Sequence, residues 1–238
     1  MNTLLQLIKA HGVRGTLYRI IGRLNHEIRI FSDRGFDRKF GVETSGIVWV
    51  AHLDIGVAQK RAAQHYEPTP TSAVRSMLKR VTIDHSEYTF IDFGSGKGRV
   101  LLLASEYPYK RIIGLEFSQS LHGIAQNNIE IWSSSRQKCP RINSICIDAR
   151  EFDLPNEPLV IFFFTPFQIP VAAEVINSIQ ESYKQHPRPM HIIYYGANRE
   201  FFALLTKLNF KYREIYSHRP LSALKKYKGT IFISESHL

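Results

Sequence analysis

Cysteine is scarce in this chain of 238 residues: Cys139 and Cys146 are too few for a disulfide framework, and no Cys/His cluster has metal-ligand spacing. No metal is expected. Apolar runs are short as well; none approaches the roughly 18 residues that a membrane-spanning helix needs. The first apolar stretch, Leu4 to Ile8, is broken by Gln6 and stops at Lys9, so no secretory leader is expected and a reducing cytoplasm is the default. Internal repeats and low-complexity tracts are missing too. Acidic residues are outnumbered, 21 against 31 Lys and Arg, for a formal charge of +10. With 44% hydrophobic and 22% charged residues the composition excludes a disordered chain and predicts one sizeable core with an appendage.

The positive charge is uneven. Residues 1–40 hold eight Lys and Arg against Glu27, Asp33 and Asp37, so half the net charge falls in a sixth of the chain. Such a surface attracts an acidic protein, RNA or an anionic membrane, the last allowing a peripheral membrane location, without choosing among them. Within it Leu17, Ile20, Ile21, Leu24 and Ile28 share one face of a helix, which packs on the main domain or on one of those partners. Residues 31–56, glycine-rich and aperiodic, read as a connection that folds over a site. Residues 1–60 are therefore expected to form a basic helical and connecting segment, and 61–238 the main domain.

The densest information lies in Tyr88-Thr-Phe-Ile-Asp-Phe-Gly-Ser-Gly-Lys-Gly-Arg-Val-Leu-Leu-Leu-Ala104: an apolar strand, a glycine turn, then a buried helix. α/β proteins build nucleotide crevices this way at the carboxyl end of a strand. Glycines stand at 94, 96 and 98, whereas the dinucleotide fingerprint would place its third at 99, here Arg99. Before this run a helix with Val74, Met77, Leu78 and Val81 inward follows Pro70, with Thr71 or Ser72 as its cap. After it, strands at 111–116, 142–148, 159–164 and 191–195 alternate with helices; Ser118 caps the one carrying Leu121, Ile124, Ala125, Ile129 and Trp132. The chain ends differently. Segments 210–217 and 229–234 read as two strands with no helix between them, hence an antiparallel pair at a sheet edge.

Acid plus Gly-x-Gly-x-Gly resembles motif I of the class I methyltransferases, which use S-adenosyl-L-methionine (SAM). That resemblance implies a Rossmann-like α/β fold with a seven-stranded, mostly parallel sheet closed by the antiparallel C-terminal pair. It implies that the backbone of Gly94, Ser95, Gly96 and Gly98 approaches the methionine and ribose of SAM. Asp92 would orient the methionyl ammonium and Glu116, at the end of the second strand, would accept the ribose hydroxyls. Asp148, followed by Ala149 at the end of the third strand, would accept from the adenine amine, with Phe117 packed on the ring. An acid about twenty residues past the glycines also serves a nicotinamide dinucleotide, which stays open as an alternative.

Thr165-Pro166-Phe167 follows the fourth strand where the family carries motif IV, with Thr165 in place of the usual amide or acid. Upstream, Tyr66-Glu-Pro-Thr69 together with Phe90-Ile-Asp-Phe-Gly-Ser-Gly and Ile113-Gly-Leu-Glu116 resembles seven-strand protein lysine methyltransferases over residues 64–150. The chain is also similar to unassigned bacterial methyltransferases built on Gly-Ser-Gly-Lys-Gly-Arg. By the first likeness Tyr66 and Thr69 line the methionine end of the cofactor, and Tyr66, Thr165 and Phe167 are the candidate catalytic residues. Tyr66, Glu67 or His65 would assist in removing a proton if that segment closes over the site. The expected activity is methyl transfer to a protein lysine, with RNA or a small molecule as the alternative acceptor and a non-catalytic interaction module as the alternative of another class.

Overall fold

The computed structural model describes residues 12–13, 16, 34–56, 60–61, 63–218 and 227–235. The amphipathic helix expected over 17–28 lies outside them. Strand β1 (Thr89–Phe93) leads through the glycine turn into helix α2 (Arg99–Ala104), after helix α1 (Thr71–Leu78). Then follow β2 (Arg111–Glu116), α3 (Gln119–Ile131), β3 (Ile142–Cys146), β4 (Leu159–Phe163), α4 (Ile169–Gln185), β5 (Met190–Gly196), α5 (Arg199–Thr206), β6 (Lys211–His218) and β7 (Tyr227–Ile233). The sheet order is β3-β2-β1-β4-β5-β7-β6; β7 runs antiparallel to β5 and β6, and the other pairings are parallel. The seven-stranded sheet with its antiparallel end is thus present. Order reverses between β1 and β4, where an open α/β sheet leaves a crevice at its carboxyl edge.

Every residue of β4 is buried because helices cover both of its faces. Val160 and Phe162 point to the layer holding α1 and α2; Leu159, Ile161 and Phe163 point to the layer holding α4 and α5. Removing a side chain such as Phe162 from this interior would cost about 3–5 kcal/mol. A small third cluster, with Leu53, Ala63 and Leu121 at its centre, ties the segment ahead of α1 to α3.

Two local expectations fail. Helix α1 begins at Thr71 with Pro70 in the cap position and no side-chain cap, since the Pro70 carbonyl already accepts from the amides of Ala73 and Val74. Thr71 and Ser72 are inside the first turn. Strand β3 stops at Cys146, so Asp148 lies two residues past its end and instead caps a 3-10 turn, Ala149–Glu151. Ser118 does cap α3, accepting from the Leu121 amide.

Candidate active site

A cavity of about 1130 Å³ runs along the carboxyl edge of the sheet. On one side of the β1/β4 switch it is lined by Thr69, Asp92, Gly94, Ser95, Gly96, Glu116 and Phe117; on the other by Phe164, Thr165, Tyr194, Asn198, Phe202, Glu214 and Tyr227. Tyr66 and Phe167 also face it.

The first half is shaped by backbone. The amides of Gly94 and Ser95 both donate to the Leu115 carbonyl, and the Gly96 amide donates to Glu116 Oε2 at 2.9 Å. Glu116 Oε1 accepts from the Ser118 amide, also at 2.9 Å. One carboxylate therefore couples the glycine loop to the start of α3, with lone pairs to spare. Gly94 (φ +79°) and Gly96 (φ +53°) hold the loop in the left-handed region, and both positions are crowded. A Cβ on Gly94 would lie 2.3 Å from Pro166 and one on Gly96 2.3 Å from the Tyr66 ring. The glycines thus let the post-β4 turn and Tyr66 close onto the loop. Gly98 plays another part, outside the cavity: it precedes α2 and packs on Ala125.

Asp92 and Glu116 are only 3% and 4% exposed. Burial, reinforced by the Glu116 charge, raises the Asp92 pKa well above the carboxylate range; burial raises that of Glu116 to about 7 against the pull of its amide donors. Among the described residues nothing donates a hydrogen bond to the Asp92 side chain, so a buried carboxylate faces the cavity in need of a cation or donor. Asp148 and Ala149 are not in this cavity. They line a neighbouring one of about 190 Å³ together with Ile147, Phe117 and Phe167, the last two of which border both. Arg150 holds Asp148 through Nε at 3.0 Å and a terminal nitrogen at 2.7 Å, which keeps its pKa low.

Residues 36–45 pack against the glycine loop from outside the cavity, to whose lining residues 34–56 contribute Leu53 alone, so the expected fold over the site is not what forms; Lys97 of the loop and Arg99 of α2 hold the segment. Lys97 Nζ donates to Glu43 (2.7 Å) and to the Ser45 carbonyl (3.2 Å). Arg99 Nε donates to Thr44 Oγ1 at 2.8 Å, and its guanidinium lies 3.8 Å from Asp37 and over the Phe36 ring. Asp37 in turn accepts from both the amides and the hydroxyls of Thr44 and Ser45. Tyr66 Oη reaches the Thr44 carbonyl at 2.7 Å. Asn128, in the last turn of α3, joins both parties: it accepts from the Glu43 amide and donates to the carbonyls of Glu43 and Lys97. Nothing in the local pattern around Asn128 signals this; it stands out only as a buried amide on a helix.

The second half is made of side chains from distant elements. Thr165 has φ +44°, a rare conformation for a β-branched residue that costs on the order of 1–3 kcal/mol. Its Oγ1 lies 3.4 Å from Tyr194 Oη. Phe164 stacks on Tyr195 at 5.2 Å, Tyr227 tilts against both, and Phe202 meets Tyr212 edge-on. A register irregularity between Glu214 and Tyr216 interrupts β6 beside the cavity, and Lys228 pairs with Glu214 at 2.7 Å. Sequence reasoning missed Tyr194, Asn198, Glu214 and Tyr227; the family motifs it used end before them.

Residues 59–139, about a third of the chain, match the family model of the Histone methylation protein DOT1. The matched stretch holds Tyr66 to Thr69, the glycine loop and Glu116. Among solved structures the chain resembles the methyltransferase domain of bacterial CtHen1-C, at 16% identity and a TM-score of 0.50, over 69% of this chain and 96% of that one. It also resembles the 23S rRNA methyltransferase ErmE, at 11% identity and a TM-score of 0.50, over 69% and 68%. At such identities these two speak for the fold alone. No curated protein sequence matches the chain.

The fold is that of the SAM-dependent class I methyltransferases, and the family match over a third of the chain agrees with it. The residues present fit that cosubstrate, since a buried, undonated carboxylate and a second carboxylate on the glycine loop suit an ammonium and a pair of hydroxyls.

Proposed function

We propose that this protein methylates a protein lysine side chain and that the two halves of its cavity divide the work. In the first, Asp92 receives the methionyl ammonium of SAM, Glu116 its ribose hydroxyls, and Phe117 with Asp148 and Ala149 the adenine; Thr69, Tyr66 and the loop from Gly94 to Gly96 enclose the methionine. SAM supplies an electrophilic methyl on a sulfonium, open to in-line displacement by a lone pair. The protein's task is then to align a neutral nucleophile and exclude water.

The observation that carries the lysine reading is the second half: walls of Phe164, Tyr194, Phe202 and Tyr227, with Glu67, Glu200 and Glu214 in the lining beside Arg199 and Lys228, the latter paired with Glu214. Aromatic walls suit the four-carbon stem of lysine, and carboxylates attract its ammonium. Passing from exposed Glu200 and Glu214 to buried Tyr194 and half-buried Thr165 strips water from the amine and lowers its pKa, freeing the lone pair that attack requires. Phe167 walls the junction between the two halves. The histone-methylation name of the matched family supports a protein acceptor.

The basic residues 1–40 favour RNA as the second reading. Incubating the pure protein with methyl-labelled SAM and a fractionated cell extract separates the two. Label recovered from protein as methyl-lysine after acid hydrolysis is the expected result; label confined to RNA or to small molecules would overturn it.

A further inference from the structure

Tyr194 lies at the back of the acceptor half, 2% exposed, and its hydroxyl has more partners than a side chain needing only to fill space. The Asn198 amide donates to Tyr194 Oη at 3.1 Å, the Asn198 carbonyl lies 3.2 Å from it, and Thr165 Oγ1 lies 3.4 Å away. A phenol has one proton and two lone pairs. Its proton goes to the Asn198 carbonyl and one lone pair takes the Asn198 amide proton. What remains is a lone pair, so the contact with Thr165 is made by the Thr165 proton.

That assignment fixes what Thr165 offers the cavity. With its proton committed to Tyr194 and no other partner among the described residues, Thr165 Oγ1 presents lone pairs alone. We propose that Tyr194 is a positioning residue which turns the Thr165 hydroxyl into a dedicated hydrogen-bond acceptor, selecting a methyl acceptor that carries an N–H and turning its lone pair toward the transferable methyl. An anionic oxygen or a thiolate brings only lone pairs to the same spot and is repelled. The inference rests on the proposed methyl transfer from SAM in the first half of the cavity and adds the side chains that would orient the attacking nitrogen.

Three further features fit this reading. Thr165 is held at φ +44°, a strained backbone that brings its side chain to the phenol. Gly196 leaves room for the contact: a Cβ there would lie 2.4 Å from Tyr194 Oη and 2.7 Å from Thr165 Oγ1. The ring is clamped as well. It stacks on Phe201 at 5.0 Å and 8°, and the Asn198 side chain caps α5 through the amides of Glu200 and Phe201, so ring and turn hold each other. Burial keeps the phenol protonated by raising its pKa.

The test needs no identified acceptor. Sinefungin is a SAM analogue in which an amine-bearing carbon replaces the methylsulfonium, so it carries N–H donors to where Thr165 acts; S-adenosylhomocysteine (SAH) carries none. Calorimetry with both gives a preference ratio. In Thr165→Ala, Tyr194→Phe and Gly196→Ala that preference should fall roughly tenfold while SAH affinity stays within about twofold, as losing a hydrogen bond to a charged donor implies. Thr165→Ser should keep it, and Tyr194→Phe combined with Thr165→Ala should lose no more than either alone. An unchanged preference in the single variants, or losses that multiply in the double, would overturn the proposal. Wild-type protein that binds neither nucleoside would instead remove the SAM reading beneath it.

Discussion

The two halves of the cavity are built by opposite means. The half proposed for the cofactor is centred on one run: Asp92, the glycine loop and Arg99 lie within eight residues, Glu116 joins from the next strand, and backbone amides do most of the shaping. The acceptor half draws on the turn after β4, the end of β5, the start of α5 and the antiparallel pair β6/β7, and side chains do the shaping. Backbone geometry tolerates few sequences and so leaves a motif. Side-chain surfaces assembled from distant elements tolerate many, and that is where one methyltransferase differs from another in what it modifies.

Substitutions should split along this line. The largest effect is expected for Gly96→Ala, which drives a methyl into the Tyr66 ring at 2.3 Å and strains a left-handed residue. About 1–3 kcal/mol of misfit would weaken SAH binding by up to roughly a hundredfold, measured by calorimetry on protein whose circular dichroism is unchanged. Thr165→Ala should do the reverse. It should slow methyl transfer about tenfold and leave SAH affinity within about twofold, read as transfer rates on the labelled acceptor fraction beside the titration. Equal losses of both quantities in both variants would erase the division of labour.

A smaller effect follows from the Glu116 pKa of about 7. The unfolded carboxyl titrates near the ordinary glutamate value of 4.5, so between that pH and 7 the folded protein binds the extra proton. Ligand-free stability should therefore fall as pH rises through this window and level off above it. Ribose hydroxyls donate to the ionised form, so SAH should bind about threefold to tenfold more tightly at pH 8 than at pH 6. Glu116→Gln should flatten that dependence. The least effect on affinity is expected for Asn128→Ala, which loosens the packing of residues 41–45 on the glycine loop: hydrogen exchange should quicken across residues 41–45, with stability down by about 1–3 kcal/mol and SAH affinity nearly unchanged.

Much of the fold was legible because its signals are local. The run from Tyr88 to Ala104 reads as strand, turn and helix and is β1, turn and α2; the helix-free ending reads as a strand pair and is β6/β7. Ser118 caps α3 as its position implies, whereas Thr71 does not cap α1, because Pro70 supplies a carbonyl that starts the helix a residue early. Asp148 read as the end of a strand because Ile145 and Ile147 prolong the alternation, yet the chain leaves the sheet at Cys146 and turns through Asp148. Arg99 was legible as a departure from a dinucleotide loop but not as the anchor of residues 37–45, since its partners Thr44 and Asp37 are more than fifty residues away. Tyr194 was hidden in the same way, inside a strand where a tyrosine between apolar neighbours reads as core.

In the proposed division of the cavity Glu116 would join the glycine loop to the cosubstrate. Titrating SAH into the wild type and Glu116→Ala at pH 8 tests this most directly. The expected result is saturable one-site binding by the wild type and an affinity lower by roughly tenfold or more in the variant, in line with hydrogen bonds to a charged group. Equal affinity in the two proteins, or no binding by the wild type, would contradict it.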